Sequence, residues 1–187
     1  AKELEQHPVA GIDLNLGCPA PIVYKKCAGG GLLRDPLRTH RILGALRDAI
    51  EIPFSVKTRL GFENTDNYED LLDIFSQHNL DLLTVHGRTV KQMYRSAVDY
   101  KAIQKAAKTV SFPLLANGNV YSAEHAAEVL NTTQSAGWMI GRGAIRNPWI
   151  FCQIRSMLKG EAVKFPTGRD VLGYIENLFE TLIIDPY

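Results

Sequence analysis

The 187-residue chain has little cysteine, no long apolar run and almost no excess of charge. Its three cysteines, Cys18, Cys27 and Cys152, are odd in number and form no Cys-x-x-Cys pair. That argues against a disulfide framework or a zinc site, and for a reducing compartment. No stretch approaches the roughly 18 apolar residues of a membrane span, and the opening Ala1-Lys2-Glu3-Leu4-Glu5 does not resemble a signal peptide. The expected setting is cytoplasmic, with no membrane partner and no metal. Lys and Arg total 21 against 20 Asp and Glu, a net charge of +1, which excludes a globally basic nucleic-acid binder but leaves room for a local patch. A content of 45% hydrophobic and 22% charged residues fits one globular domain.

The most informative segment is Gly11-Ile12-Asp13-Leu14-Asn15-Leu16-Gly17-Cys18-Pro19. Ile12, Leu14 and Leu16 alternate with Asp13 and Asn15, the period of a strand with two unlike faces. Gly17 permits a turn and Pro19 cannot donate to a ladder, so Cys18 falls where a strand becomes a loop. Reactive side chains collect at such positions in α/β proteins. A plain buried thiol is the competing reading.

Strand and helix then alternate. Asp35-Pro36 opens a helix carrying Ile42, Leu43, Leu46, Ala49 and Ile50, and a strand follows over 54–61. Tyr68, Leu71, Leu72 and Phe75 share a helix face. A strand over 82–88, a helix from Tyr100 to Thr109, a strand over 113–119 and a helix capped by Ser122 come next. A fifth strand, 137–143, leads to Asn147-Pro148, which reads as the N-cap and first position of a helix through Leu158. Such alternation predicts a parallel sheet with helices outside it.

Spacing sharpens the fold. Cys18, Lys57, His86, Asn117 and Gly141 end successive strands at intervals of 39, 29, 31 and 24 residues. A (β/α)8 barrel averages about 31 residues per unit. A doubly wound sheet has similar spacing but one site at its switch point. Here every strand ends in something polar, glycine-flanked or reactive, so the expectation is a partial (β/α)8 TIM barrel holding its last five units, with the first strands before Ala1. Residues 1–160 are read as that catalytic domain. Residues 161–187, with Val171, Leu172, Ile175, Leu178, Phe179 and Leu182 in a stripe on a helix from about Asp170, are read as the start of a C-terminal helical domain or the barrel's last helix.

The strand ends suggest chemistry. Gly141-Arg142-Gly143 precedes a helix, and Asn117-Gly118-Asn119 closes the strand before it. Glycine admits backbone N–H groups to an anion and Arg142 can clamp it, as in the phosphate site of a barrel's last two loops. A glycine after a strand is also an ordinary turn, but two such motifs on adjacent strands point to a phosphate-bearing ligand. Lys57 and Arg59 share a face, and a lysine in a barrel mouth calls for an anion or an electron-rich ring. Lys57, His86 (which by itself could be structural) and the phosphate site together describe a pocket suited to a flavin mononucleotide. Lys25, Lys26, Arg34, Arg88, Lys91 and Arg95 fall in the neighbouring loops, as a solvated face or as contacts to a polyanion.

Taken together, Asn15-Leu16-Gly17-Cys18-Pro19, Ala28-Gly29-Gly30-Gly31-Leu32-Leu33, Val56-Lys57-Thr58-Arg59-Leu60-Gly61, Val85-His86-Gly87-Arg88-Thr89, Asn117-Gly118-Asn119 and Ile140-Gly141-Arg142-Gly143-Ala144 resemble the tRNA-dihydrouridine synthases, in the family's order over about residues 11–150. The resemblance implies FMN-dependent, NADPH-driven reduction of the uridine C5–C6 double bond in tRNA. By that analogy the flavin gives hydride to C6 and Cys18 protonates C5 as general acid. Lys57 and His86 match flavin contacts, and Asn117, Gly118, Asn119, Gly141 and Arg142 match phosphate contacts. Asn15 and Arg59 match positions facing the target uridine, which must leave its stack to react. The family carries an acidic residue where Asn119 stands. A monomer is expected, and an isolated chain of this length is expected to bind FMN weakly. Alternatives are another FMN barrel acting on a small pyrimidine, or a non-catalytic tRNA-binding fragment.

Overall fold

Five short strands share one sheet: β1 (Ile12–Asn15), β2 (Phe54–Arg59), β3 (Leu82–His86), β4 (Leu114–Asn117) and β5 (Gly137–Met139). The computed structural model describes residues 1–184. All neighbouring strands are parallel and the spatial order equals the chain order, β1-β2-β3-β4-β5. A doubly wound sheet would reverse direction at a switch point, whereas this one always steps the same way. That winding, with the right-handed crossovers general to parallel β-α-β units, makes the sheet an arc of a (β/α)8 barrel.

The helices form the outer layer. They are α1 (Lys2–Glu5), α2 (Pro21–Tyr24), α3 (Pro36–Ala49), α4 (Tyr68–Ser76), α5 (Tyr100–Thr109), α6 (Ala123–Thr133), α7 (Arg142–Arg146), α8 (Ile150–Leu158) and α9 (Gly168–Ile184), with a 3₁₀ turn over Gly29–Arg34. Along the outside α3 packs on α4, α4 on α5, α5 on α6 and α6 on α8. Their starts follow local chemistry. Asp35 accepts from the Arg38 N–H at 2.9 Å, Asp99 from that of Ala102 at 2.9 Å, and Ser122 from that of His125 at 3.1 Å. Each satisfies an N–H that the helix itself leaves unpaired.

Alternation assigns the two faces of the sheet. Phe54, Val56, Leu83, Val85, Leu114 and Ala116 point to the helices and are at most 2% exposed. Burying one such side chain contributes about 1.5–3 kcal/mol. The intervening residues face the concave side: Asp13, Asn15, Ser55, Lys57, Arg59, Thr84, His86, Asn117 and Met139. In register, Asn15 lies beside Lys57, Arg59 beside His86, and His86 beside Asn117, which lies beside Met139. The polar strand ends are thus aligned across the arc.

Several boundaries differ from those expected: β2 ends at Arg59 rather than 61, β3 at His86 rather than 88, and β4 covers 114–117 rather than 113–119. Asn147 does not cap α8, which begins at Ile150 with Trp149 before it. It ends the short α7 instead, and its Nδ2 donates to Gln153 Oε1 at 2.7 Å. Gly141 is the N-cap of α7, and β5 stops at Met139 rather than at residue 143. The last helix starts at Gly168, where Thr167 and Asp170 cap each other. The Asp170 carboxylate accepts from Thr167 N and Oγ1 at 2.7 Å, and Thr167 Oγ1 accepts from Asp170 N at 3.3 Å. Tyr174 of α9 packs on Trp149 with ring centroids 5.8 Å apart. Val171, Leu172, Ile175, Leu178, Phe179 and Leu182 are exposed. Residues 185–187 of the segment expected over 161–187 lie outside the described residues. Among the described residues no helix is long and apolar enough to cross a membrane.

Candidate active site

At the carboxyl ends of the strands lies a cavity of about 350 Å³. All ten residues singled out from the sequence line it: Asn15, Cys18, Lys57, Arg59, His86, Asn117, Gly118, Asn119, Gly141 and Arg142. Among the described residues three cations, Lys57, Arg59 and Arg142, line this cavity and no carboxylate does. An enclosure of that composition favours an anion.

Cys18 is aimed by its neighbours. Asn15 Oδ1 accepts from Gly17 N at 2.9 Å, turning the chain as β1 ends. The buried Arg59 then holds the Gly17 carbonyl through Nε at 2.9 Å. The Gly29–Arg34 turn closes against this corner, with Gly30 N donating to the Cys18 carbonyl at 3.2 Å. At Gly29, whose φ is +52°, a Cβ would sit 2.9 Å from Cys18 Cβ, so only glycine lets this turn approach. The thiol is half-buried at the cavity wall.

Arg59 also spends Nη1 on two carbonyls, of Thr89 at 3.0 Å and Met93 at 2.9 Å. Three of its five N–H donors therefore build the pocket itself, and only Nη2 remains for a ligand. Lys57 has no hydrogen-bond or ion-pair partner among the described residues. Burial, and then the Arg59 charge, lower its pKa. A half-buried ammonium in that position is completed by an anion or a carbonyl edge.

His86 is buried, and its pKa is lowered to about 3, by desolvation first and then by Arg59, Lys57, Arg88 and Arg142. The imidazole is neutral at pH 7. Beside it, Gly118 takes a φ of +131°, and a Cβ there would come within 2.9 Å of Val98 and 3.3 Å of His86 Cδ2. Glycine is required both by the backbone angle and by the space. Asn119 follows at φ +52°, a left-handed angle that asparagine tolerates. Its Oδ1 accepts from Tyr121 OH at 3.2 Å and stands 3.5 Å from Arg142 Nη2. The carboxamide thus keeps the acceptor that an acidic side chain would offer there, without its charge.

Arg88 does not lie on the rim as its sequence position suggested. It is 1% exposed, because Nε donates to the Ser96 carbonyl at 2.7 Å and Nη1 to His86 Nε2 at 3.2 Å. Arg34 is exposed but engaged, stacking over Phe62 at 3.5 Å and pairing with Glu63 at 2.8 Å. Lys25, Lys26, Lys91 and Arg95 are exposed. Three lining residues, Tyr94, Val120 and Tyr121, escaped sequence reasoning. Tyr94, in the loop after β3, has the Arg142 guanidinium 4.4 Å from its ring centroid, that of Arg59 at 5.3 Å, and the His86 ring at 6.0 Å. An aromatic between Lys91 and Arg95 in a strand-end loop was the available signal.

Comparison with known proteins follows the same line. The family model described as Dihydrouridine synthase (Dus) matches residues 1–183. A probable tRNA-dihydrouridine synthase of Rhodobacter capsulatus is 33% identical over 174 residues, which is 92% of this chain and 54% of that protein. The tRNA-dihydrouridine synthase B of Pseudomonas putida is 40% identical over 157 residues, 83% of this chain and 47% of its own length. The chain spans about half the length of the curated relatives it matches. A solved nitroalkane oxidase from Streptomyces ansochromogenes aligns with 74% of this chain and 35% of its own, at 14% identity and a TM-score of 0.43, too distant to carry weight.

Proposed function

The chain belongs to the dihydrouridine synthase family, and from that membership and the cavity we propose that it carries the catalytic residues for reducing the C5–C6 double bond of uridines in tRNA, with FMN as cofactor and NADPH as reductant. The observation that carries the reading is the lining: three cations, a neutral buried histidine and a thiol, with no carboxylate among the described residues. That set fits a planar cofactor with an anionic tail.

In this reading Lys57 and His86 hold the ring system, and Lys57 is completed by the ring's electron-rich edge. Asn117, Gly118, Asn119, Gly141 and Arg142 hold the phosphate, with Arg142 as the charge-assisted donor. When bound, the reduced flavin would supply the hydride for C6. Asn15 and the free Nη2 of Arg59 orient the uracil. Cys18 gives its thiol proton to C5, and its half-exposed position lets solvent return one. Lys25, Lys26, Lys91 and Arg95 meet the RNA backbone while the target base swings out of its stack, so binding weakens as salt rises.

The test uses the full-length protein. It is expected to purify with a flavin absorption spectrum and to form dihydrouridine in tRNA on addition of NADPH. Cys18→Ala is expected to lower product formation by about 10²–10⁴-fold, the usual contribution of a positioned acid, while tRNA binding and flavin content persist. Product on free uracil but not on tRNA would assign the site to a small-molecule dehydrogenase instead.

A further inference from the structure

His86 and Arg88 are joined by a contact whose direction is chemically forced. Arg88 Nη1 lies 3.2 Å from His86 Nε2. A guanidinium has donors and no acceptor, so Nε2 must be the unprotonated nitrogen of the ring. In a neutral imidazole the proton is then on Nδ1. We propose that Arg88 is a positioning residue that fixes His86 in its Nδ1-protonated form, so that the buried ring presents a single hydrogen-bond donor to the ligand in the cavity.

The surroundings make this more than a chance contact. The guanidinium cannot rotate away, because Nε is tied to the Ser96 carbonyl at 2.7 Å and the side chain is 1% exposed. The ring is also closely packed. Gly118 lies beside its Cδ2 edge, where a Cβ would come within 3.3 Å of the ring, and the Tyr94 ring lies near it with centroids 6.0 Å apart at 38°. No described residue accepts a hydrogen bond from Nδ1, while His86 itself lines the cavity. Burial first, and then the charges of Arg59, Lys57, Arg88 and Arg142, disfavour the imidazolium. A ring with a fixed tautomer donates to a carbonyl oxygen or a ring nitrogen lone pair and rejects a second donor. Toward the flavin of the proposed function, on which this part rests, Arg88 thereby sets the polarity of one contact without touching the ligand.

The experiment is a nitrogen-detected correlation spectrum of the ¹⁵N-labelled full-length protein at pH 7. Expected is one His86 species with Nδ1 in the protonated and Nε2 in the unprotonated shift range. A protonated Nε2 in the wild type, or an imidazolium, overturns the proposal, and this holds even if no variant folds. Arg88→Met is expected to release the ring toward the Nε2-protonated tautomer and to raise the FMN dissociation constant about tenfold, the loss of one hydrogen bond of about 1.4 kcal/mol. Arg88→Lys, which keeps a charged donor, is expected to restore the wild-type ring spectrum. An unchanged tautomer in folded Arg88→Met also overturns it. Should the wild type bind no flavin, the flavin reading fails while the ring spectrum still decides the role of Arg88.

Discussion

The two faces of one five-stranded sheet are made by alternate residues of the same strands, yet they obey different rules. Toward the helices stand Phe54, Val56, Leu83, Val85, Leu114 and Ala116, all buried and apolar. Toward the concave side stand Asn15, Lys57, Arg59, His86 and Asn117, polar residues that crowd around one cavity. The first face holds the arc together by removing hydrocarbon from water. The second spends some of that stability on charges and donors that wait for a ligand. A one-residue slip in register would exchange the two sets, so the apolar face also determines where the chemistry points.

Substitutions on either face should therefore separate stability from function. Phe54→Ala empties a fully buried site and is expected to cost about 3–5 kcal/mol in denaturant unfolding. It should leave the ligand preference of any folded fraction intact, and a specific loss of flavin without destabilisation would break the contrast. Lys57→Met should do the reverse. Removing a charge that burial already disfavours is expected to leave the unfolding midpoint unchanged or raised, while flavin affinity drops about 10–100-fold for one lost charge-assisted bond. Urea melts and a flavin titration on the same sample decide it.

On the polar face, acid should act through His86. The folded His86 titrates at about 3 against an ordinary value of 6.5, so below pH 6.5 the unfolded chain takes up a proton that the folded chain refuses. Its contribution to stability is fully present above pH 6.5 and is lost as pH falls toward 3, by up to about 1.4 kcal/mol per pH unit. His86→Asn is expected to flatten that slope, and an identical pH profile in the variant would remove His86 as its source. The smallest effect belongs to the outer layer. Ser122→Ala, which deletes the α6 cap, is expected to cost about 1 kcal/mol and to change neither flavin nor RNA binding.

Much of this was legible from residue patterns, for identifiable reasons. Alternation in Ile12–Leu16 and the i, i+3, i+4, i+7 set at Tyr68–Phe75 are local signals, and both elements are found there. The site residues were legible because each ends a strand, where a parallel arc gathers side chains that are 24–39 residues apart in sequence. What escaped depends on tertiary partners. Arg88 looks like a rim cation until His86 and the Ser96 carbonyl draw it inward. Asn147-Pro148 looks like a helix start, but α7 occupies the preceding residues and uses Asn147 as its end. Tyr94 is brought to the cavity by turns within its loop, and no periodicity marks such a position.

That loop has a thermodynamic consequence. Between Arg88 and Ser96 the backbone is pinned by Arg59 at Thr89 and Met93, by Arg88 at Ser96, and by the reciprocal bonds of Thr89 with Gln92 at 2.7 and 3.3 Å. A strand-end loop without such struts freezes only when its partner arrives, and that ordering is subtracted from affinity. Here the ordering is completed during folding. On the proposed function, a nucleic acid approaching this rim would meet a surface already ordered, so its heat of association should reflect ion release and base unstacking rather than the settling of the protein.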